Sequence, residues 1–176
     1  MSLVKKVGRE LFKLYTNILI RLKKIKGTPK SIAKGFATGV AMSFTPFVGF
    51  HLLLALSVGK VFNQNGVATA LGTIAGNPWT FPLIWYLTFN SGSAILEYHP
   101  INTPENFSVF FKELFHTVIM LDFKGFFDDI WPIFYPMLIG CIPFYIGVWW
   151  LVYITLRKVL LTGRQRSSSD DIRNWM

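Results

Sequence analysis

Three stretches of the chain carry no Asp, Glu, Lys or Arg: Gly35 to Gly59, Val61 to Leu96, and Ile130 to Leu156. A membrane-spanning helix needs about 20 apolar residues, so each stretch is long enough to reach across a bilayer. The first two are interrupted near the middle. One break reads Thr45-Pro46-Phe47-Val48-Gly49-Phe50-His51 and the other Gly76-Asn77-Pro78-Trp79-Thr80-Phe81-Pro82. Pro removes a backbone donor and disfavours helix at the residue before it, and Gly lets the chain turn. Non-helical backbone at membrane depth is tolerated only where it is buried in protein or lines a wet cavity. The two breaks are therefore the candidate substrate-binding site, formed by Thr45, Pro46, Phe47, Gly49, His51, Gly76, Asn77, Pro78, Thr80 and Pro82.

Before the first stretch, Val4, Val7, Leu11, Leu14, Tyr15, Ile18, Leu22 and Ile25 recur at three- and four-residue steps, one face of a helix. Lys5, Arg9 and Lys13 run along a different face, and Arg21, Lys23, Lys24 and Lys26 cluster at its end. This predicts a basic amphipathic helix over 1–30, lying in the headgroup plane of an anionic leaflet. Lys5, Lys6, Arg9, Lys13, Arg21, Lys23, Lys24 and Lys26 would contact lipid headgroups. The other reading packs the same apolar face on the chain's own membrane domain or on a partner. A second helical pattern, Phe107, Phe110, Phe111, Leu114, Phe115 and Val118, predicts an amphipathic helix within 97–131, either interfacial or capping the bundle.

Charge orients these elements. Residues 1–34 hold ten Lys/Arg against Glu10 alone, residues 35–156 hold three against six acids, and residues 157–176 hold five against two. Lys and Arg accumulate on the cytoplasmic side of membrane proteins. Both termini are thus expected in the cytoplasm, with the acidic 97–129 connection outside. Residues 31–62 then form a re-entrant hairpin, residues 66–96 cross once as a broken helix, and residues 132–156 return as a transmembrane helix. The alternative makes Gly35–Gly59 a kinked spanning helix and the second stretch re-entrant, and the charge map admits both. Residues 159–176, with three serines and mixed charges, are expected to be a flexible tail. The fold class expected is an all-α integral membrane protein, a small helical bundle with re-entrant and discontinuous helices and amphipathic interfacial helices.

Small residues bear on packing. Gly35 and Gly39 are four apart, with Ser43 one turn further, and Gly72 and Gly76 repeat the spacing. Such stripes let helix backbones approach closely where lipid gives no hydrophobic drive between helices. The chain's formal charge of +9 is read as lipid-facing and not as nucleic-acid binding, since no nucleic-acid motif accompanies it.

The site's chemistry is sparse. His51 is the one ionisable side chain of the first apolar run, and it either serves a substrate or proton or braces the fold. Asn77, before Pro78, is a turn-former that satisfies local backbone or a ligand contact. There is no embedded carboxylate, no HExxH, no GxSxG and no phosphate loop, so no catalytic residue, metal or cofactor is expected. The acids and histidines of the external segment have no metal-ligand spacing. Cys141, the single cysteine, is expected to be a small buried apolar side chain.

The segment Gly35-Phe36-Ala37-Thr38-Gly39, the PFxGxH motif ending at His51, Gly72-Thr73 and the GNPxTxP motif ending at Pro82 together resemble a bacterial membrane family, domain of unknown function 2062. The resemblance covers about residues 20 to 160. It implies an integral protein of the bacterial inner membrane, some relatives being fused to glycosyltransferase-like domains. Transport or flipping of a small anionic or lipid-linked envelope substrate is the leading expectation. A non-catalytic structural or assembly subunit of an envelope complex is the alternative, and a lipid-modifying membrane enzyme comes third. The partners expected are anionic membrane lipids, with a second copy or an envelope-biosynthesis protein.

Overall fold

Capping side chains set the helix starts in the first half of the chain. In the computed structural model of the protein, which describes residues 16–18, 20–22, 24–47, 49–77, 80–97 and 130–174 with Arg9, His116 and Met120, Thr28 accepts the N–H of Ser31 at 3.2 Å. With Pro29 in the first turn, that cap begins α1 (Pro29–Met42). Asn65 does the same for α3 (Gly66–Gly72), its Oδ1 accepting the N–H of Ala68 at 3.0 Å. Between them lies α2 (His51–Val61). A 3-10 turn, Thr73–Ala75, extends α3. After the second break come α4 (Phe81–Leu96) and the long α5 (Trp131–Asn174). Among the described residues every regular element is a helix. The Phe107–Val118 pattern and most of the acidic connection lie outside those residues.

Contacts fix the helix directions. Ser31, at the start of α1, donates through its hydroxyl to the carbonyl of Asn63, just past α2. The Asn65 N–H meets the Ser31 carbonyl at 3.3 Å. The ends of α1 and α2 are therefore adjacent, and the pair is a hairpin. With 14 and 11 residues, the arms measure about 21 and 16 Å. Next, α3 runs parallel to α1, since Gly35 lies on Asn65 and Thr69, Gly39 on Thr69 and Gly72, and Gly76 on Ser43. Along α5 the order reverses. Phe144 stacks on Phe44, the Trp149 Nε1 donates to the Thr38 hydroxyl at 2.9 Å, and Tyr153, Leu156 and Leu160 pack with Ile32, Ala33 and Ala37. Finally α4 is antiparallel to α5, with Gly140 on the Thr88 carbonyl and Gly92 on that of Pro136. Residues 66–96 thus advance in one direction with a break, while residues 29–62 turn back.

Gly39 and Gly72 show why the small-residue stripe is needed. A Cβ on Gly39 would strike the Thr69 carbonyl and lie 2.8 Å from the Gly72 Cα, and one on Gly72 would strike the Phe36 carbonyl. No side chain fits between backbones at that separation.

Apolar residues fill the core and also cover much of the outer faces. The inward positions of α2 are His51, Ala55 and Gly59, while Leu52 and Leu53 are 47 and 61 % exposed. Leu83, Tyr86 and Ile95 of α4, and Ile142, Ile146, Trp150 and Leu151 of α5, also face outward. Residues Trp131–Thr162, 32 in number, form the one helix among the described residues that is long and apolar enough to cross a membrane.

Two segments differ from the sequence expectation. The described part of the amino-terminal segment packs Ile18, Leu22 and Ile25 with Ile32, Ala37, Ala68 and Leu160, so these three apolar residues face the chain's own domain. An amphipathic pattern gives the buried face and not what buries it. Arg21, Lys24 and Lys26 remain exposed on the outer side. At the other end, α5 continues to Asn174, through the segment read as a flexible tail. Buried Leu160 anchors the extension, and lengthening an existing helix avoids the cost of nucleating a new one.

Candidate functional site

The first break begins where Pro46 cannot donate to the Met42 carbonyl. Thr45 replaces it twice, with its N–H at 3.0 Å and its hydroxyl at 2.8 Å. Ser43 donates to the Gly39 carbonyl in the same way. Gly49 then turns the chain at φ +84°, a left-handed conformation that side chains disfavour. Across the turn His51, only 7 % exposed, places Nε2 2.9 Å from the Thr45 carbonyl. A carbonyl only accepts, so this nitrogen carries the hydrogen.

The second break is tied by a reciprocal pair. The Asn77 N–H donates to the Thr80 hydroxyl at 3.0 Å, and the Thr80 N–H donates to Asn77 Oδ1 at 3.2 Å. The Thr80 hydroxyl proton has two acceptors in reach, the carbonyls of Ala75 at 2.8 Å and Asn77 at 3.0 Å. The Asn77 carbonyl also receives the N–H of Phe81, and α4 starts from there with Pro82 in its first turn. Gly76 is extended at φ −82°, ψ 99°, which shifts the helix axis without reversing the chain.

The two breaks touch. A Cβ on Gly76 would lie 2.7 Å from the Ser43 hydroxyl. The His51 ring stacks on Phe81 at 5.5 Å and 22°, and Phe81 stacks on the buried Trp85 at the same distance. Thr45, Pro46, His51, Gly76, Asn77 and Thr80 therefore gather where the breaks meet. Phe47, Gly49 and Pro82 face outward. Phe47 makes an edge contact with Phe134 of α5. Pro78 lies outside the described residues. His51 reaches the second break through Phe81.

This arrangement holds backbone in place. Each freed carbonyl named above receives a donor from within its own break, and the wall beside His51 is aromatic. Among the described residues no three metal-ligating side chains come together. Cys141 is buried and donates to the Leu138 carbonyl at 3.1 Å.

The sequence reading did not single out the α4–α5 crossing. Gly92 and Gly140 each admit the opposing backbone at a distance no Cβ tolerates, beside the buried Thr88 and Pro136. The signal was the spacing Thr88 to Gly92 and Pro136 to Gly140, small or ring-constrained residues one turn apart.

Among the described residues, the fold and site define an all-helical bundle of apolar-faced helices, with one helix of spanning length and two helix breaks in contact. The chain belongs to the DUF2062 family, described as an uncharacterized protein conserved in bacteria, which it matches over residues 12–169. No curated protein and no solved structure matches it.

Proposed function

We propose that this is a multi-pass protein of the bacterial cytoplasmic membrane, with both termini in the cytoplasm, that moves a small anionic or lipid-linked envelope substrate between leaflets. One observation carries the reading: two helix breaks are held in contact inside a bundle whose outward faces are apolar. Contiguous exposed apolar surface marks a membrane or protein interface. Paired broken helices meeting inside such a bundle are a recurrent plan in membrane transporters. In this reading the α1–α2 hairpin is re-entrant, its arms being too short to span about 30 Å of hydrocarbon. The α3–α4 pair crosses with its break buried, and α5 returns. The exposed Arg21, Lys24 and Lys26 then lie at the anionic headgroups. A non-enzymatic role fits this reading, since among the described residues no carboxylate pairs with His51 and its Nε2 is committed to Thr45.

A second reading, a structural or assembly subunit, is favoured by the internal pairing of the polar groups at both breaks. The experiment is leaflet exchange in vesicles of phosphatidylethanolamine and phosphatidylglycerol holding the purified protein and a headgroup-labelled phosphatidylglycerol. Transport predicts that dithionite bleaches label beyond the outer-leaflet pool. Bleaching that stops where it stops in protein-free vesicles sinks the transport reading for this lipid class. His51→Gln sharpens the result: exchange at the wild-type rate makes His51 a brace, and slower exchange in a protein of unchanged thermal stability makes it part of the pathway.

A further inference from the structure

The open end of the α1–α2 hairpin, away from the breaks, holds a cavity of about 320 Å³ between α1, α2 and α5. Its walls are aromatic: Phe62, Tyr145, Trp149 and Trp150. Trp149 is fixed on three sides. Its Nε1 donates to Thr38 at 2.9 Å, its ring stacks on Tyr153 at 5.1 Å, and Trp150 meets it edge-on at 5.5 Å. Two larger polar side chains enter this lining, the half-buried Lys34 and Gln64. Among the described residues no carboxylate lines the cavity, so none of them neutralises Lys34 there. Gln64 Oε1 is buried without a hydrogen-bond partner among the described residues. A buried acceptor of this kind is costly unless a donor reaches it. The rim is apolar, with Ile146 and Trp150 more than half exposed.

The geometry points to a binding site for one anionic phospholipid, with its phosphate on Lys34, its headgroup beside the Gln64 side chain and the first carbons of its chains against Trp149, Trp150 and Tyr145. The inference rests on the membrane reading above and adds a ligand class and contact residues at a place distinct from the breaks. Ligand cavities range from about 300 to 1,000 Å³, so this one takes a headgroup and the start of the chains. The remainder of the chains lies along the exposed Ile146 and Trp150. A water-soluble phosphate would leave the aromatic walls unused, whereas a lipid uses both parts. Position agrees, because Lys30, Lys34 and Lys60 cluster at this end of the hairpin, where the charge map puts the cytoplasmic headgroups.

The test is native mass spectrometry of the full chain released from detergent after incubation with phosphatidylglycerol or phosphatidylcholine. The wild type should retain one phosphatidylglycerol, and Lys34→Gln should lower its apparent affinity about tenfold, the scale of one charge-assisted contact. Lys30→Gln removes an exposed charge from the same helix and should retain the lipid as the wild type does. Unchanged retention in Lys34→Gln, or an equal loss in Lys30→Gln, overturns the site. Displacement of the lipid by glycerol 3-phosphate overturns its identity as a lipid site. Should Lys34→Gln not purify as folded protein, Gln64→Met takes its place, with the same loss in support and unchanged retention against. Leaflet exchange separates this inference from the function it rests on. Retention at Lys34 without exchange keeps the site and removes transport, and exchange without retention does the reverse.

Discussion

The two breaks use the same ingredients and do opposite things. Residues 43–50 reverse the chain, so the ends of α1 and α2 meet at Ser31 and Asn63. Residues 76–80 let it continue from α3 into α4. Both contain Pro, Gly and Thr, so composition does not decide the outcome. Two details do. Gly49 is left-handed, whereas Gly76 is extended. The tie of the first break also spans the turn, from His51 back to Thr45, while the tie of the second is a local Asn77–Thr80 pair that restarts a helix. A Pro/Gly cluster in an apolar run therefore says that a helix stops, and the backbone of its glycine says where the chain goes next.

The largest effect is expected from parting the surface that aligns both breaks. Gly39→Val places a side chain against the Thr69 carbonyl and the Gly72 Cα, and both are backbone that cannot swing aside. A loss of about 3 kcal/mol or more is expected, read as a fall in melting temperature in detergent. Gly147→Ala, which meets nothing within 4 Å, should be close to neutral. Equal stability of the two variants would remove the close crossing.

Thr80→Ala comes next, since it strips the Asn77 N–H of its acceptor. The expected cost is about 1–3 kcal/mol. Under limited proteolysis new cleavage should appear around residues 75–80 and not around 43–50. Cleavage at both would mean that the two ties are one unit, contrary to the comparison. A smaller effect than these two is expected at Gly49, where alanine fits the open space but not the φ of +84°. Gly49→Ala should cost about 1–2 kcal/mol, while an alanine at the extended Gly76 should instead clash with Ser43 and Phe81.

Much of this was legible in the sequence. The uncharged runs and their Pro/Gly clusters mark where α1, α2 and α4 begin or end, and the Gly35–Gly39 and Gly72–Gly76 spacings mark one close crossing. What the sequence lacks is the identity of partners. Gly92 and Gly140 are 48 positions apart and gain meaning only when their helices are laid side by side. The apolar face at Ile18, Leu22 and Ile25 reads the same whether lipid or protein covers it. Lys34 counts among ten basic residues of residues 1–34, and only the fold sets it beside Trp149 and Gln64. Arg157 and Lys158 close the apolar run without ending α5, which continues to Asn174.

On the proposed membrane reading, the asymmetry between the two breaks makes one segment turn back and the other pass through. Single cysteines at Lys30, Asn63 and Glu105, in a chain with Cys141→Ser, can be labelled by an impermeant maleimide from either side of the membrane. The account predicts that positions 30 and 63 label from the cytoplasm alone and position 105 from outside alone. Labelling of position 63 from outside, or of position 105 from the cytoplasm, would contradict it.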